Sequence, residues 1–303
     1  MKSRFSVGVV GVGMVGTPLA RYFVERKQYV RGKDLFLRDT NQTKGMQDDV
    51  NKADVIFICV PTPRSKTGSC DLGHVKAALA SIKGAKIIVI KSTVPPGTTA
   101  EFQKIYPRHK FLFNPENLTE RTAWEDFIRP DSQIVGFTQK SQDVAAIVLG
   151  LLPKAAFMSP WGVGTYRRIG ITATEAEIIK YARNVHFARK VNFANLLARL
   201  AEKMGVDYEN VRLGMSADFR IGDSHLDVLH GGYRGFGGYC FPKDLDALIG
   251  HLDKIGLRAE SSLLQCDREF NKKLLAAQGL TLEDVSVHDA EWVARRVKSK
   301  KPS

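Results

Sequence analysis

Cysteine is scarce in this chain, with four in 303 residues and no close CxxC pair. That spacing excludes a disulfide framework and a cysteine-based zinc cage, and it points to a reducing compartment, the cytoplasm. Long apolar runs are also missing, so no membrane-spanning helix is expected. The basic start followed by the apolar stretch from Phe5 to Val15 has the outline of a signal peptide, but the glycines inside that stretch have a better explanation below. No internal repeat or low-complexity segment occurs. Hydrophobic residues at 44% and charged residues at 25% exclude disordered and collagen-like chains. What is in excess is positive charge: 45 Lys+Arg against 32 Asp+Glu, a net of +13. Such a balance favours anionic partners such as nucleotides or phosphates, yet no nucleic-acid motif accompanies it, and nucleic acid is not an expected partner. Arg295, Arg296, Lys298, Lys300 and Lys301 close the chain and read as a solvated basic tail.

The length fits about two domains. Short β-branched runs alternate with helical stretches through the first 160 or so residues, the pattern of a parallel α/β sheet. The expected strands are Phe5 to Val10, Leu35 to Arg38, Val55 to Val60, Lys86 to Lys91, Lys110 to Phe113 and Ile134 to Val135. From about Thr172 the period turns helical. Thr174 and Glu177 read as a capping box, and Ile178, Tyr181, Val185, Ala188, Leu196, Leu200 and Met204 keep one helical face until Gly205. A helix of this length serves to join domains or to form an oligomer interface. Further helices are expected over Tyr208 to Ser216 and Leu245 to Lys273. The resulting architecture is a Rossmann-type parallel-sheet domain over 1–170, a long central helix with an all-helical core over 171–279, and a basic tail over 280–303.

Gly11, Val12, Gly13, Met14, Val15 and Gly16 follow the first strand and open a helix, the arrangement of a dinucleotide loop. Its glycines supply a tight turn, close backbone approach to a pyrophosphate and close packing of helix on strand. A glycine loop alone fits a bare turn equally well; here Asp39 also ends the second strand, placed to accept the hydroxyls of an adenosine ribose and to favour NAD over NADP. Arg38 beside it could instead meet a 2′-phosphate. Cys240, in the run from Gly235 to Asp244, precedes Pro242 and a helical pattern, so the thiol is expected at a helix N-terminus, where its pKa falls. Glycines before it would let a substrate approach the sulfur; a packed cap cysteine fits the same pattern. Cys59 and Cys266 read as packing residues and Cys70 as a loop residue. Lys180 and Asn184, one turn apart, project from one helix face and could grip a single oxygen, or could be a solvated pair. Glu116 and Glu120 lie on a loop after a strand, and Lys91 to Gly97 on the matching loop after an earlier one, at the carboxyl edge where α/β proteins bind ligands.

Taken in order, Gly11 to Gly16, Val60 to Pro63, Lys91 to Thr98, Asn114 to Glu120 with Pro130 and Asp131, Thr174 to Asn184, Arg220 to Gly222, and Gly235 to Asp244 make the chain resemble the UDP-glucose/GDP-mannose dehydrogenase family of nucleotide-sugar 6-dehydrogenases. The resemblance covers about residues 5 to 270. It implies NAD-dependent oxidation of a sugar C6 alcohol to a carboxylate in two steps, UDP-glucose to UDP-glucuronate first among the choices. GDP-mannose, a UDP-N-acetyl sugar or a non-catalytic NAD-binding relative are the alternatives. By resemblance Cys240 is the nucleophile of a thiohemiacetal and thioester, Lys180 and Asn184 steady the oxyanion, and Asp244 with Thr93 orders the hydrolytic water. Glu120 is the implied acid/base partner, and Glu116 begins the sugar-contacting segment through Asn117, Leu118 and Thr119, with Gly237 also at the substrate. Asp39, Lys44, Thr62, Thr93, Glu120 and Lys243 match cofactor contacts. Arg220 matches a residue that reaches a neighbouring subunit's sugar, which implies a homodimer through the 174–204 helix. Asn117, Leu118 and Thr119 depart from the family's usual Phe-Leu-Arg, which bears on the sugar. Residues 280–303 are too few for the family's nucleotide-binding C-terminal domain, so basic residues of the core or of a partner subunit, together with the tail, are expected to meet the substrate diphosphate.

Overall fold

A computed structural model of the chain describes residues 4–39, 45–65, 68–116, 118–160 and 170–286, with positions 293, 295 and 297. The chain forms two compact units, one of residues 1–63 with 70–180, the other of 64–69 with 181–303.

The first unit is built on strands β1 (Val7–Val10), β2 (Leu35–Arg38), β3 (Val55–Ile58), β4 (Ile87–Ile90) and β5 (Lys110–Phe113). They pair in parallel in the order β2-β1-β3-β4-β5. Two short strands, β6 (Ser132–Ile134) and β7 (Gly136–Phe137), follow, and β7 closes the sheet antiparallel to β5. A last strand, β8 (Phe157–Ser159), pairs with β6 alone.

The strand alternation builds two cores. Val55 and Phe57 join one face with residues of α1 (Gly16–Glu25), while Ile56 and Ile58 join the other with residues of α2 (Gly73–Ala80) and α3 (Thr98–Ile105). Helices α4 (Ala123–Ile128) and α5 (Gln142–Leu151) cover the first face through Phe127, Val144, Ala145 and Val148. A sheet covered on both sides explains why these strands are apolar throughout.

Helix α6 (Ala173–Met204) runs for 32 residues, its start in the first unit and its remainder in the second. Its N-terminal box uses Thr172 and Glu175: the Glu175 carboxylate accepts from the Thr172 N–H at 2.6 Å, and the Glu175 N–H donates back to Thr172 Oγ1 at 3.3 Å. The Thr174–Glu177 pair has the same spacing but lies two residues too late, and Glu177 turns elsewhere. Tyr181, Val185 and Ala188 are buried, whereas Ile178, Leu196, Leu200 and Met204 are exposed, so the apolar residues occupy two faces rather than one.

The second unit adds α7 (Tyr208–Ser216), α8 (Cys240–Lys254), α9 (Arg258–Ala276) and α10 (Leu282–Val285). A single helix over Leu245 to Lys273 does not form, because Gly256 takes a φ of +85° and reverses the chain between α8 and α9. Cys266 is exposed rather than packed. The expected tail is partly core: Leu280, Val285, Val293 and Val297 are buried with Tyr233 and Leu275. Of its closing cations only Arg295 is described, and it is exposed; Arg296, Lys298, Lys300 and Lys301 lie outside the described residues. No helix among the described residues is long and apolar enough to cross a membrane.

Candidate active-site residues

The parallel sheet of the first unit places its functional loops side by side. Asp39 follows β2, Gly11 to Gly16 follow β1, Cys59 to Thr62 follow β3, Lys91 to Thr93 follow β4, and Asn114 to Glu116 follow β5. All lie at the carboxyl edge, and the β1 and β3 ends flank the point where strand order reverses.

Gly11 sits at φ +90°, and a Cβ there would come within 2.8 Å of the Cys59 carbonyl and the Val60 nitrogen. Gly16 packs against the Gly11 carbonyl so closely that any side chain would collide, while a Cβ on Gly13 would meet open space. The three glycines thus divide into the turn, the open approach and the helix contact that the spacing implied. Helix α1 begins with no side-chain cap and no acid in its first turn, so no carboxylate of its own offsets the positive end of its dipole. The Asp39 carboxylate is buried and accepts the Val12 N–H at 2.9 Å, so it is anchored to the same loop. Arg38 donates to Ser81 Oγ at 2.6 Å and is engaged by that hydroxyl. This set fits NAD: a loop open to the pyrophosphate and an anchored acid for the ribose. Thr62 and Thr93 are buried at the next two strand ends; Met14 and Val15 complete the loop, and Lys44 lies outside the described residues.

At the β4 and β5 ends stands a buried charge cluster. Lys180 Nζ pairs with Glu116 Oε1 at 2.8 Å, with the two side chains 3% and 9% exposed. Lys91 Nζ donates to Asn114 Oδ1 at 2.6 Å, and Asn114 Nδ2 donates to the Ile134 carbonyl at 2.6 Å and to Gln133 Oε1 at 2.9 Å. The chain entering Glu116 is therefore held from several sides. Burial alone would push the Glu116 carboxyl up; the Lys180 ammonium outweighs it, and the group lies below the usual carboxylate range. Burial lowers Lys91, with Lys180 adding a like-charge push and Glu116 opposing it. The Cys59 thiol beside them is pushed up to about 12 by burial and is inert. Cys70 donates to the Thr93 carbonyl at 3.4 Å.

Glu116, on the same loop as the expected acid/base residue Glu120, pairs with Lys180. Leu118 donates its N–H to Glu116 Oε2 at 3.1 Å, and Thr119 donates to Asp126 at 2.8 Å. Glu120 opens a short 3-10 turn ending at Thr122; its side chain and Asn117 lie outside the described residues. Glu177 was missed as a functional residue. It is fully buried, and its two carboxylate oxygens accept the N–H groups of Gly97 at 2.6 Å and Thr99 at 2.8 Å, which ties the start of α6 to the loop that carries Thr93.

In the second unit Cys240 is the first residue of α8, half-buried, with Pro242 in the first turn where no N–H is needed. One turn on, Asp244 is 1% exposed and is held at both oxygens, Oδ1 by Lys243 Nζ and Oδ2 by Asn184 Nδ2, each at 2.5 Å. Lys180 and Asn184 therefore each face a carboxylate of their own unit. Arg220 is exposed on the loop after α7 and forks onto Asp218 at 2.6 to 3.2 Å. Gly237 packs between Tyr233 and Val285.

Residues 37–149 match the model of the UDP-glucose/GDP-mannose dehydrogenase family NAD binding domain, and residues 174–273 match that family's central domain. The chain is 34% identical over 292 residues to UDP-glucose 6-dehydrogenase of Pseudomonas aeruginosa, covering 82% of this chain and 61% of that one. It is 30% identical to UDP-glucose 6-dehydrogenase AglM of Haloferax volcanii, over 88% of this chain and 69% of the relative. The chain belongs to the UDP-glucose/GDP-mannose dehydrogenase family.

Among solved structures, a UDP-glucose dehydrogenase from Pyrobaculum islandicum superposes with a TM-score of 0.72 at 29% identity, over 89% of this chain and 68% of that one. Against UDP-glucose 6-dehydrogenase TuaD of Bacillus subtilis, 38% identical, the match spans 44% of the relative's length. The chain thus spans about half to three fifths of the first curated relatives of this family. The NAD-binding-domain match takes in Asp39 and Glu116, with the Gly11 loop ahead of it, and the central-domain match takes in Lys180, Asn184, Cys240 and Asp244.

Proposed function

We propose that this chain oxidises the C6 alcohol of a nucleotide sugar to a carboxylate in two steps, with UDP-glucose as substrate and UDP-glucuronate as product. The observation that carries the reading is the Asp244 node: a buried carboxylate one turn after Cys240, held by Asn184 and Lys243 within one unit. A packed cap cysteine requires no such charged neighbourhood. UDP-glucose is named because the relatives at 30 to 38% identity bear that substrate in their names.

NAD, when bound, accepts the hydride of each oxidation. The first oxidation turns the alcohol into an aldehyde, and the hydroxyl proton passes to the Lys180–Glu116 pair, which is buried, charged and close enough to share it. Glu120 is the second carboxylate of the same loop in this reading. The Cys240 thiolate then adds to the aldehyde carbon, and Lys180 and Asn184 steady the oxygen that gains charge. The thiohemiacetal loses its second hydride to become a thioester, and no free aldehyde is released. Water ordered by Asp244 and Thr93 hydrolyses the thioester and returns the thiol. Asp39 and Thr62 serve the cofactor, Lys243 holds Asp244, and Glu116 to Thr119 with Gly237 line the sugar.

We also propose a homodimer through α6. Phe193, Leu196, Leu200 and Met204 repeat at helical spacing and are each about half exposed or more, an apolar stripe suited to a second copy. Arg220 is exposed and so available to a neighbouring subunit's sugar. Incubation with NAD and a panel of UDP-glucose, GDP-mannose and UDP-N-acetyl sugars, read by NADH absorbance, tests the function. Turnover of another sugar alone would replace the substrate, and no turnover with any would overturn the enzyme.

A further inference from the structure

The glycine run before Cys240 is gripped by the chain that follows α8. Arg234 and Gln278 exchange two hydrogen bonds: the Arg234 N–H donates to Gln278 Oε1 at 2.8 Å, and Gln278 Nε2 donates to the Arg234 carbonyl at 2.9 Å. Phe236 and Asn271 do the same at 2.7 and 2.9 Å. The Gly238 N–H then donates to the Val285 carbonyl at 2.7 Å. Every second residue of the run is thus bonded to a partner between Asn271 and Val285, as one strand is bonded to another, although two of the partners are side-chain amides. The intervening residues are glycines for the same reason. A Cβ on Gly235 would come within 2.6 Å of Asn271 Oδ1, and one on Gly237 within 2.7 Å of the Val285 carbonyl. These glycines admit the clamp; Gly238, at φ +70°, is open to the outside.

We propose that Asn271, Gln278 and the Val285 carbonyl form a positioning clamp that fixes the thiol of Cys240 at the start of α8. The proposal rests on Cys240 being the nucleophile. Its physical basis is that the bonds end at Gly238, two residues before the thiol, so a loosened loop lets the first turn of α8 fray and takes the sulfur away from the helix N–H groups that favour its thiolate. Asn271, Leu275 and Val285 are buried, so the clamp is a rigid part of this unit.

The test uses the full chain with Gln278→Ala, Gln278→Glu and Asn271→Ala. Two readouts are followed: the pH profile of Cys240 alkylation by iodoacetamide, on the Cys240 peptide by mass spectrometry, and kcat against KM. The alkylation midpoint of Gln278→Ala should move up toward the ordinary thiol value of about 8.5, with kcat down about tenfold and KM for NAD and sugar within about threefold. Gln278→Glu keeps the acceptor for the Arg234 N–H and loses the donor, so it should fall between wild type and Gln278→Ala. If Asn271→Ala does not fold, the Gln278 pair decides alone. An unchanged midpoint in Gln278→Ala overturns the clamp whatever the chain does with sugars. A shifted midpoint in a chain that oxidises no nucleotide sugar upholds the clamp and overturns the proposed function.

Discussion

Lys180 Nζ lies 2.8 Å from Glu116 Oε1, and neither side chain is more than 9% exposed. A buried pair of this kind costs desolvation that only close geometry returns, so it is informative when kept beside a ligand edge. Glu116→Gln removes the charge and keeps the shape. We expect kcat to fall by roughly 100-fold or more with KM for NAD little changed, measured by steady-state kinetics. Because Glu116 titrates below an ordinary glutamate, its stabilising contribution is complete at neutral pH and is lost as pH falls through that lowered value. A kcat within twofold of wild type would remove the pair from the mechanism.

Asp39 is anchored by the Val12 N–H and sits at the β2 end. Asp39→Ala should weaken NAD by roughly tenfold, the worth of about one charge-assisted hydrogen bond. It should weaken NADP less, because the carboxylate no longer repels a 2′-phosphate. Calorimetric titration of both cofactors decides this; equal losses would mean that Asp39 serves the loop and not the ribose.

Burial pushes the Glu177 carboxyl up to about 7, against the backbone donors at Thr99 and Gly97 that lower it. The folded chain therefore holds a proton that the unfolded chain releases near its ordinary value of 4.5. The stability it contributes is full below that value and is lost as pH rises through about 7. Relative to Glu177→Gln, wild-type stability should decline by about 2–3 kcal/mol between those limits, read by urea unfolding across pH. A flat difference would refute the titration.

Leu200 is 55% exposed within the α6 stripe. Leu200→Glu should convert a dimer to a monomer in light scattering, since a charge there has no partner once covered. A wild-type chain that is monomeric at all concentrations would end the dimer proposal.

Much of the fold was legible in sequence because burial on both faces makes the strands β1 to β5 continuous apolar runs, and because glycine positions are dictated by the backbone. The two Thr-x-x-Glu boxes at the start of α6 could not be separated by pattern: Thr172–Glu175 and Thr174–Glu177 have one spacing, and only the distant Gly97 and Thr99 amides show where Glu177 goes. The partner of Glu116 was not legible on its own loop, because Lys180 lies far along the chain. Lys91 carried a usable signal, a charge ending an apolar strand, which burial beside Asn114 explains. The clamp had none, since Asn271 and Gln278 are ordinary polar residues of a helix and its end until the loop backbone lies against them.

The central claim is a two-step oxidation completed on Cys240, and the NADH formed per UDP-glucose consumed at exhaustion tests it most directly. The account predicts two NADH per sugar with UDP-glucuronate as product, and loss of full turnover in Cys240→Ser. One NADH per sugar with release of the aldehyde, or two with Cys240→Ser unimpaired, would contradict it.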